Sequence, residues 1–335
     1  MLINSEILAT GAAFPEKTVY SYELDEKYGH PVGTFESKSG VQSRYYISGE
    51  ETAAKLGAKS AVQAFKKAGL KIGDVDLILG ASGTAEQAIP CTSALIQKEL
   101  GLDKSGIPCF DVNATCLSFL TAYNTACALI HAGQVSRVLI VSSEIASVGI
   151  NYENVEAASL FGDGAVSVIV QKNEVSDERG LLGFHMETYS EFSDCCEIQG
   201  GGTKLHPRLL GWDLPKDDPR FLFKMDGPKV FKIAAKSMSN FIDVLSSKAG
   251  FGLDDIKLFI PHQASSSALT LMQRRIGLDD DKFFKYNKNY GNMIAASLPL
   301  GLHLALEQKL IGRGDKIMMV GTSAGISIGG AIIQL

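Results

Sequence analysis

Cys116 stands in DVNATCLSFLTAYNTA (111–126), where a short alternating stretch meets an apolar helical one. A thiol attacks only as its thiolate, and a helix N-terminus lowers a thiol pKa through unpaired N–H groups and the helix dipole. The same N–H groups can stabilise the oxyanion formed when a thiolate attacks a thioester carbonyl. Two other residues have types suited to that chemistry. His262 closes the apolar run KLFIPH, and Asn292 lies in NYGNMIAAS between Gly291 and small residues, a segment suited to close backbone approach. Each alone has a plainer explanation: a cysteine packs well in a core, a strand-end histidine is usually structural, and an asparagine before a helix is usually a cap. Together, a Cys, a His and an Asn at strand ends form a constellation for covalent acyl chemistry.

The elements that must position them alternate along the chain. Strand-like VDLILGAS (75–82), helical PCTSALIQKELG (90–101), strand-like CFDVN (109–113), the Cys116 helix and strand-like RVLIVSS (137–143) follow one another. That order argues an α/β protein whose strands are buried on both faces. The second half repeats the first. GDVDLIL (73–79) matches DDIKLFI (254–260), SALIQKELGLD (93–103) matches SALTLMQRRIGLD (267–279), and QVSRVLIVSS (134–143) matches GRGDKIMMVGTS (312–323). GDGAVSVIVQ (162–171) matches GISIGGAIIQ (325–334) in character, and FDVNATC (110–116) aligns with YNKNYGN (286–292). Matches in one order predict two similarly folded halves, 1–172 and 173–335. This register pairs Cys116 with Asn292, an offset of 292 − 116 = 176, and predicts that both occupy the same strand-to-helix junction. Both, with His262, should lie at carboxyl ends of strands, where open α/β sheets bind ligands. Residues 173–223, with GGGTK (200–204) and Trp212, read as a surface insertion, either a cap over a cleft or a decorated loop.

A chain of 335 residues can bury a large core, and 32 Lys+Arg against 37 Asp+Glu leave a net charge of −5 without a basic run. Nucleic acid is therefore not an expected partner. No stretch is apolar for long enough to span a bilayer, and a cytoplasmic protein is expected. Six cysteines without CxxC or Cys/His zinc spacing argue against both a disulfide framework and a metal site. Cys91, Cys109 and Cys127 read as packing residues, and vicinal Cys195 and Cys196 have no redox context. GDG (162–164) and GTSAGISIGG (321–330) read as tight turns that bring backbone near the site, and Glu144, near the same face, as either a substrate contact or, the plainer reading, a solvated carboxylate.

DVNATCLSF, PHQAS, YGNMIAASLPLGL, LFGDGAVSVIV and ILATGAAFPE together resemble a β-ketoacyl-acyl carrier protein synthase III of the thiolase superfamily, over nearly the whole chain. The resemblance implies a duplicated α/β unit in five αβαβα layers and a homodimer. It implies that Cys116 accepts the acyl group and that His262 and Asn292 donate hydrogen bonds to the extender's thioester oxygen as decarboxylation turns it into an enolate. Backbone N–H groups of Cys116 and Ala324 would form the other oxyanion hole. Phe161, Thr322 and Ile89 would line the acyl pocket, Ile89 by reaching across the dimer. The implied substrates are an acyl-coenzyme A or acyl-carrier-protein donor and malonyl-acyl carrier protein, with no permanently bound cofactor. The chain departs from the family pattern at HPVGTFESKSGVQSR, where only Lys38 could stand for the usual adenine-binding pair, and at Ser267, where an arginine is common. Thr322-Ser323-Ala324 replaces an aromatic followed by glycines. Primer identity therefore stays open between a housekeeping and a specialised condensation. Three rival readings stay open too: an acyltransferase to an alcohol or amine, a silent heterodimer partner and a cysteine hydrolase.

Overall fold

The computed structural model describes residues 3–173, 179–215 and 217–335. Strands β1 (Ile3–Ala13), β2 (Leu77–Gly80), β3 (Cys109–Asp111), β4 (Arg137–Glu144) and β5 (Gly164–Lys172) come first in the chain. β6 (Gly180–Thr188), β7 (Leu258–Pro261), β8 (Lys316–Ser323) and β9 (Ser327–Gln334) follow. All belong to one nine-stranded sheet in the order β3-β2-β4-β5-β1-β6-β9-β8-β7. The order and sense are the same read inward from either edge. β2–β4 and β7–β8 are parallel, while β4–β5, β5–β1, β8–β9 and β9–β6 are antiparallel. Phe283 bridges Phe259 in β7 in parallel, in the place β3 holds beside β2. The two sets meet where Ile3 pairs with Leu181 and Asn4 with Gly180.

Six helices cover and fill this sheet: α1 (Ala53–Ala68), α2 (Thr92–Glu99), α3 (Ser118–His131), α4 (Gly227–Ala249), α5 (Ser266–Ile276) and α6 (Ser297–Glu307). The period of two along the strands sorts their side chains between layers. In β4, Val138 and Ile140 join α3 and α6 in a central core, whereas Leu139 and Val141 face α1 and α2 on the outside. In β8, Ile317 and Met319 point to the same central core, whereas Met318 and Val320 face α4 and α5. The result is five layers, with α3 and α6 buried between the two halves of the sheet. Because both strand faces are buried, β4 and β8 read as unbroken apolar runs.

One boundary differs from the sequence reading. The segment 173–223 is not a single insertion, because β6 runs through its start and pairs with β9 along Gly180–Thr188. GLLGFHMET hides this strand: its glycines and polar residues break the apolar run that marks the other central strands. The irregular part begins after Thr188. It holds short turns, a two-residue strand pair (Cys196–Glu197 with Lys224–Met225) and Trp212, which is 77% exposed.

Gly11 in β1 lets α1 lie directly on the sheet. A Cβ there would stand 2.2 Å from the Ser60 carbonyl oxygen and 2.6 Å from the Ala64 nitrogen, both in the α1 backbone. Gly11→Ala should therefore cost about 1–3 kcal/mol by overpacking, read as a fall of several degrees in the calorimetric Tm. Gly312→Ala, with nothing within 4 Å of its Cβ position, should stay within about 0.5 kcal/mol.

Candidate active site

Cys116 sits in a one-turn 3-10 segment (Thr115–Leu117) that leads into α3. The elbow before it is tight: Thr115 has φ +53°, and its N–H is caught by Asn113 Oδ1 at 2.9 Å. Ala114 N–H donates to the Ser118 hydroxyl at 2.9 Å. The same construction recurs before α6. Ile294 has φ +47°, its N–H donates to Asn292 Oδ1 at 2.8 Å, and Met293 N–H donates to the Ser297 hydroxyl at 2.9 Å. Thr and Ile are both β-branched and rarely adopt positive φ, so each elbow holds local backbone strain.

These matching bonds correct the repeat register. They equate Asn113 with Asn292 and Ser118 with Ser297, an offset of 297 − 118 = 179 in place of 176. Cys116 therefore corresponds to Ala295, and Asn292 to Asn113. The nucleophile candidate and the asparagine are neighbours of one another's counterparts, one turn apart on matching elbows.

The same offset equates Glu144, the last residue of β4, with Ser323, the last residue of β8. Each reaches the elbow of the other half. Ser323 Oγ accepts the Cys116 N–H at 3.1 Å and donates to the Ala114 carbonyl at 2.9 Å. Glu144 accepts the Ala295 N–H at 3.3 Å. It also takes Gly83 N–H (2.6 Å), Thr84 N–H (3.0 Å) and the Thr84 hydroxyl (2.6 Å). The solvated carboxylate expected from sequence is thus a buried one, at 0% exposure. Gly83, which it holds, fits between the elbows, since a Cβ there would meet Ile294 at 2.8 Å and Thr115 at 3.3 Å.

His262 follows β7 and is fixed through its backbone N–H to Val320 O at 2.8 Å. Gly321 gives it room, because a Cβ there would come within 2.9 Å of the His262 Cβ. The ring is nearly buried, and its Nδ1 has no partner. Asn292 is held by backbone pairing with Phe161 and by its N–H to Leu160 O at 2.7 Å. Gly291 (φ +68°) allows this, since a Cβ there would lie 2.5 Å from that same carbonyl. Its Oδ1 takes Ile294 N–H and the Ser297 hydroxyl, which directs the amide nitrogen elsewhere.

Cys116, His262 and Asn292 line one cavity of about 1360 Å³. Phe161, Thr322 and Ala324 line it too, as do Lys38 and Ser267. Ile89, expected to reach across a dimer, does not line this chain's own cavity and is 84% exposed on its surface. The irregular segment closes one side with Cys196, Ile198, Phe221, Phe223 and Met225. α4 and α5 form another side with Phe231, Met238, Leu269 and Met272. The Cys116 N–H, expected to be free for an oxyanion, is engaged by Ser323.

Burial dominates the electrostatics. It pushes the Cys116 thiol up to about 12, with Glu144 and Cys196 adding to the rise, while its own backbone N–H and Ser323 pull downward. Burial lowers His262 to about 4 and raises Glu144 to about 7, the latter against the pull of its hydrogen-bond donors. The imidazole is therefore neutral at neutral pH. Thiol and imidazole do not form a resting ion pair, and the ring serves as a hydrogen-bond donor. Among the described residues no group of three or more His, Cys, Asp or Glu side chains could hold a metal ion. No helix there is long and apolar enough to cross a membrane.

Sequence reasoning placed Glu144 and Ser323 near the site but missed the bonds by which they and Asn113 hold the elbows. An internal alignment by backbone bonding type, Asx turn on Asx turn, would have found them; alignment by chemical role did not.

Comparison with known proteins gives a consistent picture. Residues 110–190 match the family model for 3-oxoacyl-[acyl-carrier-protein (ACP)] synthase III, and residues 246–335 match the model for its C-terminal part. The chain is 30% identical to the β-ketoacyl-[acyl-carrier-protein] synthase III of Natranaerobius thermophilus, over 99% of each chain. It is likewise 30% identical to that of Clostridium acetobutylicum, over 98% of each. The solved 3-oxoacyl-[acyl-carrier-protein] synthase III of Aquifex aeolicus superposes with a TM-score of 0.87 at 26% identity, covering 99% of this chain and 100% of that one. The priming β-ketosynthase of the R1128 polyketide pathway shares the fold, with a TM-score of 0.87 at 24% identity over 100% of this chain and 97% of that one.

The two shifted groups bias stability in opposite directions. Glu144, raised from 4.5 to about 7, contributes stability present below pH 4.5 and lost as pH rises to 7. His262, lowered from 6.5 to about 4, contributes stability present above pH 6.5 and lost as pH falls to 4. Relative to the natural chain, Glu144→Gln should gain on the order of 3 kcal/mol across its window as pH rises, and His262→Asn should lose a similar amount. Urea unfolding at stepped pH between 4 and 7 measures both; parallel slopes for the two variants would refute the assignment.

Proposed function

The chain belongs to the β-ketoacyl-[acyl-carrier-protein] synthase III family, a family of thiolase-fold condensing enzymes, and on that premise we propose that Cys116, His262 and Asn292 carry its reaction. It is an acyltransferase of fatty acid or polyketide biosynthesis. In our reading, Cys116 first takes an acyl group from a coenzyme A or carrier-protein thioester. The Cys116 thiol loses its proton, its sulfur bonds to the carbonyl carbon, the donor's C–S bond breaks, and the departing sulfur takes up a proton. A malonyl thioester, borne on acyl carrier protein, then loses CO2. The electron pair of the broken bond becomes an enolate, whose carbon attacks the acyl carbon and releases the Cys116 thiolate, which regains a proton.

The observation that carries this reading is the pair of donors that share a cavity with Cys116: a histidine held neutral by burial and an asparagine whose oxygen is already occupied. Such donors suit an enolate oxygen, because they stabilise charge that appears only as CO2 departs. Ala324, lining the same cavity, supplies the other N–H of the acyl oxyanion hole. Cys116 N–H joins it once Ser323 releases that bond.

The apolar walls from the irregular segment and from α4 and α5 support a medium-chain or otherwise bulky primer. We read the active form as a homodimer of chains each built from units 1–172 and 173–335. Exposed Ile89 and Phe110, the latter on the edge strand β3, support such an interface. A cytoplasmic location fits the proposed thioester substrates.

Acyl thioesters of graded length, incubated with the protein and followed by intact-mass and peptide mass spectrometry, test the first step. Addition of malonyl-acyl carrier protein tests the second. Cys116→Ala should abolish the adduct. Asn292→Ala should leave acylation near normal and slow condensation by about 10²–10³-fold. An adduct that never yields a β-ketoacyl product would favour transfer to an alcohol or amine. Equal loss of both steps in Asn292→Ala would refute the enolate role.

A further inference from the structure

Ser323 occupies an unusual place. Its hydroxyl accepts the backbone N–H of Cys116 at 3.1 Å and donates to the carbonyl of Ala114, two residues before the nucleophile. The side chain is buried yet borders the cavity that Cys116 lines. We infer that the Ser323 hydroxyl is a catalytic group of the acylation step, holding the Cys116 N–H until the thioester oxygen takes it and donating to the Cys116 sulfur while that sulfur is negative.

The inference rests on Cys116 being the nucleophile and adds what its ionisation requires. A buried N–H without an acceptor is costly, so the empty site needs a stand-in for the substrate oxygen. Ser323 Oγ supplies it. When a thioester carbonyl enters, the N–H moves to the developing oxyanion. Before that, while the sulfur is a thiolate and has not yet attacked, the hydroxyl turns from the Ala114 carbonyl to the sulfur and favours the charge as a charge-assisted donor. Ser323 keeps its own proton throughout; the thiol proton passes to solvent as the thiolate forms, and the departing sulfur takes one up in its place. The downward pull of Ser323 on the thiol is consistent with this contact.

The internal symmetry sharpens the point. Its counterpart Glu144 makes the equivalent bond to Ala295, a residue without side-chain chemistry. A carboxylate suits that junction, whereas at position 323 it would oppose a thiolate. The groups that face Cys116 are Glu144 at the end of β4, Cys196 from the irregular segment, and Ser323 at the end of β8, with neutral His262 in the same cavity. Among the side chains that act on the thiol, Ser323 is the one that pulls its pKa downward, and it does so without carrying charge.

The test is the pH dependence of Cys116 alkylation by iodoacetamide, with the modified residue located by peptide mass spectrometry, together with single-turnover acylation by an acyl-coenzyme A. Ser323→Ala and Ser323→Gly both remove the hydroxyl, so a failure of one to fold leaves the other. Either should raise the apparent Cys116 pKa by about one unit and slow acylation at neutral pH by about 10-fold, and Ser323→Thr should restore both. A merely structural serine would change Tm without moving the alkylation profile, and that result overturns the inference. So does faster acylation in Ser323→Ala, which would make the hydroxyl a plug. In both cases a Cys116 adduct still forms, and only the inference fails. Absence of any Cys116 adduct in the natural chain would overturn the inference together with the reading it rests on.

Discussion

The site depends on a pair of crossed hydrogen bonds. Cys116 N–H is held by Ser323, and Ala295 N–H by Glu144, so each half of the chain anchors its helix-entry elbow to the last residue of a strand from the other half. Both elbows contain a β-branched residue at positive φ, a conformation that is unfavourable in isolation. The crossed bonds and the Asx turns at Asn113 and Asn292 hold that conformation in place. Neither half could present its chemistry alone. The cysteine comes from one half, the histidine and asparagine come from the other, and the bonds that fix their elbows run between the halves.

Burial makes this arrangement chemically useful. With α3 and α6 lying between the two halves of the sheet, the elbows at their N-termini open into a cavity with largely apolar walls. A low dielectric raises the cost of any isolated charge, which keeps the thiol protonated and the imidazole neutral at rest. It also strengthens any hydrogen bond to charge that develops during reaction. The same desolvation that hinders the resting thiolate therefore favours the enolate of the proposed reaction.

Much of the architecture was legible in the sequence. Apolar runs such as RVLIVSS and KIMMVG carried the central strands, and their recurrence in order carried the duplication. Strand β6 was not legible, because GLLGFHMET lacks the apolar continuity of its neighbours and gains its place through pairing with β9 and β1. Cys116, His262 and Asn292, chosen by type and setting, share one cavity. Their register was not legible, because an alignment that matched chemical residues placed Cys116 on Asn292, while the backbone repeats three residues further on. Glu144 was misread for a related reason. A lone acidic residue at a strand end looks solvated until the donors of Gly83, Thr84 and Ala295, from two distant segments, converge on it.

The seam at the middle of the sheet has a consequence for how the chain comes together. β1 pairs with β5 along its length and touches β6 only through Ile3 and Asn4. Its partners lie some 160 residues later in the chain. Among the strands of this sheet β1 is thus made before all its strand partners and must wait for them, and such distant pairings make for slow folding. During synthesis it remains an open edge, and its sequence, INSEILATGAA, interrupts the apolar Ile3, Ile7 and Leu8 with Asn4, Ser5, Glu6 and Thr10, which set a charge and three polar side chains along the edge another chain could capture.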